Sequence, residues 1–144
     1  MLGRQLLEAA GSRWPVVRHP LQVLPYDAPM ITIPAGAEPV VPMPERTPVA
    51  IRAAVARLDV AVLPRFEAEW TAATAQARDE YSVMPVQHFM EKWWLWVAVR
   101  RWPELAARLR ECERRAAVAS DLMAARAASA EIGEILRAAA DAAA

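Results

Sequence analysis

Proline placement constrains this chain more than any other feature. Nine of the twelve prolines fall between Pro15 and Pro48, recurring every two to five residues. Proline lacks an amide donor, fixes its own φ and pushes the preceding residue toward extended conformations. Residues 15–48 therefore cannot form a regular helix or a central strand. The other three prolines, Pro64, Pro85 and Pro103, each stand at the start of a helix-periodic segment. There the ring is tolerated, because a first-turn amide has no intrahelical partner.

The leader, residues 1–46, does not have the composition of a disordered linker. Val16, Val17, Leu21, Val23, Leu24, Tyr26, Met30, Ile31 and Ile33 make it apolar. We expect extended, polyproline-like segments laid over the helices or over a partner. A short strand is expected at residues 30–33, and a short helix over residues 2–10 that stops at Gly11-Ser12. The alternative is a start at Met30 or Met43, which would make the preceding residues an artefact of start-site assignment.

Beyond the leader the period is helical. Thr47 as N-cap with Pro48 behind it opens a first helix, and Ile51, Ala54, Val55, Leu58 and Val62 share one face. A break is expected between Asp59 and Pro64. A second helix, about Pro64 to Glu80, carries the stripe Phe66, Trp70, Ala73 and Ala77, extended to Tyr81, with Arg65, Glu69, Gln76 and Asp79 opposite. A third, about residues 85–101 behind Ser82, presents Val86, Phe89, Met90, Trp93, Trp96 and Val97 on one broad face, with Trp94 at its edge. Three tryptophans on one helix make it the expected centre of the core, since each aromatic buries about 150–250 Å². Leu95 and Val99 fall on the other side, as a possible second contact surface.

From Pro103 a fourth helix continues through Leu105, Leu109, Cys112 and Ala116, with Glu104/Arg108 and Glu111/Arg115 at the i,i+4 spacing of ion pairs. The apolar phase then changes. Val118, Leu122, Ala125, Ser129, Ile132, Leu136 and Ala139 run at heptad-like spacing. Ser120-Asp121 is placed to cap a separate helix, or one long helix carries both seams. The fold class that follows is all-α: a small bundle of four to five helices behind an extended proline-rich leader. Its parts are the leader (1–46), extended or partly disordered, a helical core domain (47–117) and a C-terminal helical extension (118–144).

Composition narrows function mainly by exclusion. Formal net charge is zero, and the balance holds along the chain: four positive and four negative charges over 1–46, seven and six over 47–102, six and seven over 103–144. A nucleic-acid binder usually shows a basic domain or face, so that class is not favoured. The single cysteine, Cys112, permits no intramolecular disulfide and reads as a small core residue. No apolar run reaches the length of a membrane span, and no signal peptide is legible at Met1–Ala10; a cytoplasmic location is expected.

No constellation points to catalysis. His88 lies on the polar face of the third helix without a nucleophile or carboxylate placed for it, and His19 lies in the leader. Two distant histidines and one cysteine have no zinc spacing. Glu67/Glu69 and Asp79/Glu80 do not share a helix face and read as solvated surface. The four glycines form no phosphate loop. The basic cluster Arg100, Arg101, Arg108, Arg110, Arg114 and Arg115 is interleaved with Glu104, Glu111 and Glu113, which reads as a salt-bridged surface. No catalytic residue, metal, cofactor, membrane or small-molecule substrate is implied.

The segment from Thr47 to about Arg115 resembles a family of small, functionally uncharacterised actinobacterial helical proteins. The residues that carry the resemblance are Thr47-Pro48 with Ile51-Arg52-Ala53-Ala54, Phe66 with Glu69-Trp70, Pro85-Val86, and Trp93-Trp94 followed by Arg100 and Trp102-Pro103-Glu104. It spans about half the chain and leaves out the leader and the heptad-like tail. Members look like companions of toxin–antitoxin genes of the RelE/ParE kind, which implies a partner-binding, antitoxin-like role and carries no catalytic residue.

The expected function is thus a non-enzymatic interaction module that binds a protein, a toxin or a second copy of itself, through the leader and/or the C-terminal helix. The partner-binding candidates are Trp94, Leu95, Val99, Arg101 and Trp102 on the rim of the tryptophan helix, and Leu122, Ile132 and Leu136 on the tail seam. The alternative is a DNA-binding regulator using the second and third helices as a helix-turn-helix.

Overall fold

The computed structural model describes residues 31–144. Five helices follow the leader: α1 (Pro48–Leu58), α2 (Leu63–Asp79), α3 (Met84–Arg100), α4 (Pro103–Ala117) and α5 (Leu122–Asp141), with a 3-10 turn at Val60–Val62 between the first two. The fold is all-α, as the periodicity implies. Among the described residues no strand forms: residues 31–34 lie outside regular structure. Met30, the helix expected over 2–10 and His19 fall outside the described residues.

The helix boundaries follow local chemistry. The Thr47 hydroxyl accepts from the Ala50 amide at 3.2 Å, and Pro48 occupies the first turn. Asp59 ends α1 in an extended conformation and its carboxylate accepts from Ala61 N at 3.1 Å, starting the 3-10 turn. Pro64, Pro85 and Pro103 all sit in first turns. Asp121 settles the question left open at the tail: it is extended, its carboxylate accepts from Ala124 N at 2.8 Å, and α5 begins as a separate helix. Each such cap is worth about 1 kcal/mol.

α3 is the centre, and it is covered on two sides. One core joins Ile51, Ala54, Val55, Phe66, Phe89, Trp93 and Val97, from α1, α2 and α3. Its rings meet edge-on: Phe66 lies 5.0 Å from both Phe89 and Trp93. The second core joins Ala98, Val99, Leu105, Cys112, Ile135 and Ala139, from α3, α4 and α5, together with Ile31 of the leader. Trp94 and Met43 pack against both.

Two apolar assignments change. Tyr81 does not extend the α2 stripe; it is 98 % exposed, with φ 50°. It closes α2 in the left-handed conformation that lets the Ser82 amide reach back to the Ala77 carbonyl at 3.0 Å. The tail seam also differs. Val118 and Leu122 are exposed, and the buried line of α5 is Ala128, Ile135 and Ala139, with Ile132 and Leu136 half-buried beside it. α5 lies along α4 and α3, so their apolar faces, not a heptad register, choose which of its residues go inside.

Candidate interaction surface

Most of the rim proposed as a partner contact is occupied by the chain itself. Val99 is 2 % exposed, inside the second core. Trp94, Leu95, Trp102, Ile132 and Leu136 are half-buried and pack on that same core, alongside Ile33 and Met43 of the leader. Residues 31–46 of the leader and α5, two segments that looked available to a partner, cover the rim of α3 and each other. Of the eight candidates, Leu122 alone stays exposed, at the first position of α5, with Met123 after it and Val118 of the α4–α5 connection exposed as well.

Arg101 is 7 % exposed and has a structural task. Its Nη2 donates to the Ala142 carbonyl at 3.1 Å, past the last turn of α5, where the helix dipole presents partial negative charge. Burial holds its guanidinium below the ordinary arginine range. The guanidinium lies 4.9 Å from the Trp102 ring centre, and the Arg101 carbonyl accepts from Val40 N at 2.9 Å. Arg101 thus ties the end of α3 to the leader and to the end of α5. Among the described residues, Arg101 Nε and Trp102 Nε1 are buried without hydrogen-bond partners.

Of the other arginines in the basic cluster, Arg108, Arg114 and Arg115 form ion pairs, as the interleaved charges suggest, though two of them with other partners than the spacing implies. Arg108 and Arg115 do not pair with Glu104 and Glu111. Both reach across to Glu131 of α5. Hydrogen bonds from Arg115, then Arg108, pull the Glu131 carboxyl down to about 2. Arg115 Nη2 also donates to Cys112 Sγ at 3.0 Å, while burial pushes the thiol upward. Glu69, read as solvated, bridges two helices. It accepts from Lys92 Nζ at 2.7 Å, Arg65 Nε at 2.9 Å and the Trp93 indole at 2.9 Å. Burial pushes its carboxyl up, but these donors outweigh it and the net displacement is downward. Arg46 and Arg100 lie over the rings of Trp94 and Trp96, at 4.1 and 5.1 Å from their centres.

His88 is exposed on α3. Among the described residues no group of three or more His, Cys, Asp or Glu side chains is placed to hold a metal ion. Among them, too, no helix is long and apolar enough to cross a membrane.

What sequence reasoning missed is a pair of grooves on either side of residues 31–33. One, about 460 Å³, lies between this segment and the end of α5 and is bordered by Glu134, Arg137, Ala138, Asp141 and Ala142. The other, about 500 Å³, lies between the segment and the start of α4; Pro34, Ala37, Glu38, Trp102, Leu105 and Arg108 border it. Ile31, Thr32 and Ile33 line both. The segment leaves this position through a tight turn: Ala37 N donates to the Pro34 carbonyl at 3.0 Å, and Gly36 takes φ 91°. The apolar Met-Ile-Thr-Ile run was the available signal, but nothing local shows what lies beside it.

No curated protein and no solved structure matches this chain. A family profile does, over residues 39–142, so the match extends through α5 and takes in the tail that the motif resemblance left out. With the match covering α1 to α5, this chain belongs to DUF6247, a family of unknown function.

Proposed function

We propose that this chain is a non-enzymatic, cytoplasmic protein-interaction module, antitoxin-like in role, that binds a protein partner where its leader meets its C-terminal helix. One observation carries the reading: the Ile31–Ile33 segment stands between two open, largely apolar grooves, while the rest of the α3 rim is covered by the chain itself. Apolar concavities bordered by charged residues are common sites of protein contact.

Affinity purification of the tagged full chain from its native host, wild type beside Thr32→Trp, tests the reading. Thr32 is exposed and borders both grooves, so a bulkier side chain obstructs them without entering the core. The expected result is a stoichiometric partner with wild type that is lost with Thr32→Trp. A wild-type chain recovered as a bare monomer refutes the reading. The alternative, a helix-turn-helix reading DNA with α3, draws no support from this arrangement: Phe89, Trp93, Val97, Ala98 and Val99 are all buried, leaving α3 packed on two sides.

A further inference from the structure

We infer that the α4–α5 hairpin is a movable cover. It swings away from α3 as one unit, about the Arg101-Trp102 junction, while α1–α3 stay folded, and hydration of the buried Arg101 guanidinium favours the release. The inference goes beyond the groove reading above and does not depend on it. Three observations carry it.

The hairpin is tied to itself more firmly than to α3. α4 packs far more extensively on α5 than on α3. Glu131 of α5 accepts from Arg108 and from Arg115 of α4, and Arg115 also donates to Cys112 Sγ. At the junction Trp102 is extended, with φ −109° and ψ 101°, so the helix path breaks between α3 and α4. The few backbone dihedrals of such a junction can absorb the rotation of one unit against the other. The two cores on α3 also differ in make. The first holds Phe66, Phe89 and Trp93 in ring contact. Where α3 meets the hairpin, the fully buried side chains are Ala98, Val99, Leu105, Cys112, Ile135 and Ala139, with Trp94 and Trp102 half-buried beside them. Apolar stabilisation scales with the area buried, so parting the hairpin from α3 forfeits less than parting α1, α2 and α3. Unequal local stability of this kind lets one part of a fold open while the rest stays closed.

The third observation is the charge at the junction. Arg101 is buried at the end of α3, and its Nη2 donates to the Ala142 carbonyl past α5. Ala142 is itself exposed, so water takes over that carbonyl when the hairpin leaves. A guanidinium withdrawn from water loses more than a bond to a neutral carbonyl restores. The downward displacement of the Arg101 pKa by burial has the same sign: the charged form is disfavoured where it sits. Opening returns the charge to water. The bond to Ala142 sets where the closed hairpin rests, and the buried charge loosens it. Release uncovers Val99 and the inner side of Leu95 on α3.

Cys112 is the one cysteine of the chain and is fully buried, so a thiol reagent reports the opening. Labelling of the full chain by Ellman's reagent in native buffer is compared with labelling of the urea-unfolded chain, and amide exchange is followed at Leu105, Ile135, Val55 and Trp93. Cys112, Leu105 and Ile135 should share one opening, at least about 100-fold more frequent than the unfolding reported by Val55 and Trp93. Protection of Cys112 and Ile135 within about threefold of Val55 and Trp93 overturns the inference, because the fold would then open only as a whole. Labelling of Cys112 without matching exchange at Ile135 overturns it as well, since α4 would be fraying alone. Arg101→Met keeps the bulk and removes the charge, and should slow labelling of Cys112 about tenfold. Arg101→Lys keeps a cation and should not slow it. Faster labelling in Arg101→Met, or its failure to fold, overturns the role given to Arg101, since the guanidinium would then be holding the hairpin shut.

Discussion

Replacing Trp93 by alanine tests the claim that α3 organises the fold. Trp93 is 1 % exposed and touches rings on two helices: Phe66 at 5.0 Å between centres, and Phe89 and Trp96 at 6.3 and 5.6 Å. Burying an indole of about 200 Å² contributes roughly 5 kcal/mol at 25 cal/mol per Å², an upper figure because the unfolded chain already buries some of it. Core Trp→Ala substitutions cost about 3–5 kcal/mol, cavity included. The lost indole hydrogen bond adds little. Glu69 keeps its bonds to Lys92 and Arg65, and its side chain is 30 % exposed, so water can take the vacated position.

The expected cost is therefore about 4 kcal/mol, a large share of the ~5–15 kcal/mol that holds a domain together. Urea titration followed by circular dichroism at 222 nm measures it, as a fall in midpoint at unchanged slope. The melting temperature should drop by about 15 °C. Trp94→Ala is the internal control. Its ring is half-buried beneath Arg46, and about 1–2 kcal/mol is expected. A Trp93→Ala cost below about 1.5 kcal/mol, or a larger cost for Trp94→Ala, refutes the assignment of Trp93 as the centre of the core.

Two further outcomes follow from the geometry. Glu131 is held at about 2 in the folded chain, against an ordinary value near 4.5, so its contribution is fully present above pH 4.5 and is lost as pH falls from there toward 2. Because its arginine partners are nearly half exposed, about 1–2 kcal/mol is at stake. Glu131→Gln should destabilise the chain at pH 7 and flatten the difference in urea midpoint between pH 7 and pH 3; an unchanged acid response contradicts the ion-pair reading. Tyr81→Gly should raise stability by about 0.5–1 kcal/mol, since glycine takes the left-handed conformation without the steric cost and the 98 %-exposed ring gives up no packing. Thermal unfolding reads this directly, and a lowered melting temperature would mean that the ring has a contact the turn geometry does not explain.

Much of this fold is legible in the sequence because its determinants are local. The prolines at 48, 64, 85 and 103 stand in first turns, Thr47 and Asp121 cap where cap residues should, and the face of α3 from Phe89 to Val97 is buried as its periodicity implies. Each of these depends on neighbours within about four residues, and helix geometry relates such neighbours rigidly.

The contested positions were decided by contacts between segments distant in sequence. Val99 and Leu95 lie opposite the main apolar face of α3, and only the arrival of α4, α5 and Ile31 makes that side a second core. The heptad-like spacing after Val118 is compatible with several buried lines. Docking on α3 and α4 selects Ala128, Ile135 and Ala139, and leaves Leu122 in solvent. Glu104/Arg108 and Glu111/Arg115 have favourable local spacing, yet Arg108 and Arg115 both turn to Glu131 because α5 brings that carboxylate between them. The apolar run at residues 30–33 is visible in the sequence, but the grooves beside it are not. The walls of each come from segments far apart in sequence, and burial depends on what packs from outside the helix, which no periodicity records. The prolines thus determine where helices can start and which stretch must stay extended; the meeting of leader, α4 and α5 decides which of the apolar residues are core and which border the open grooves.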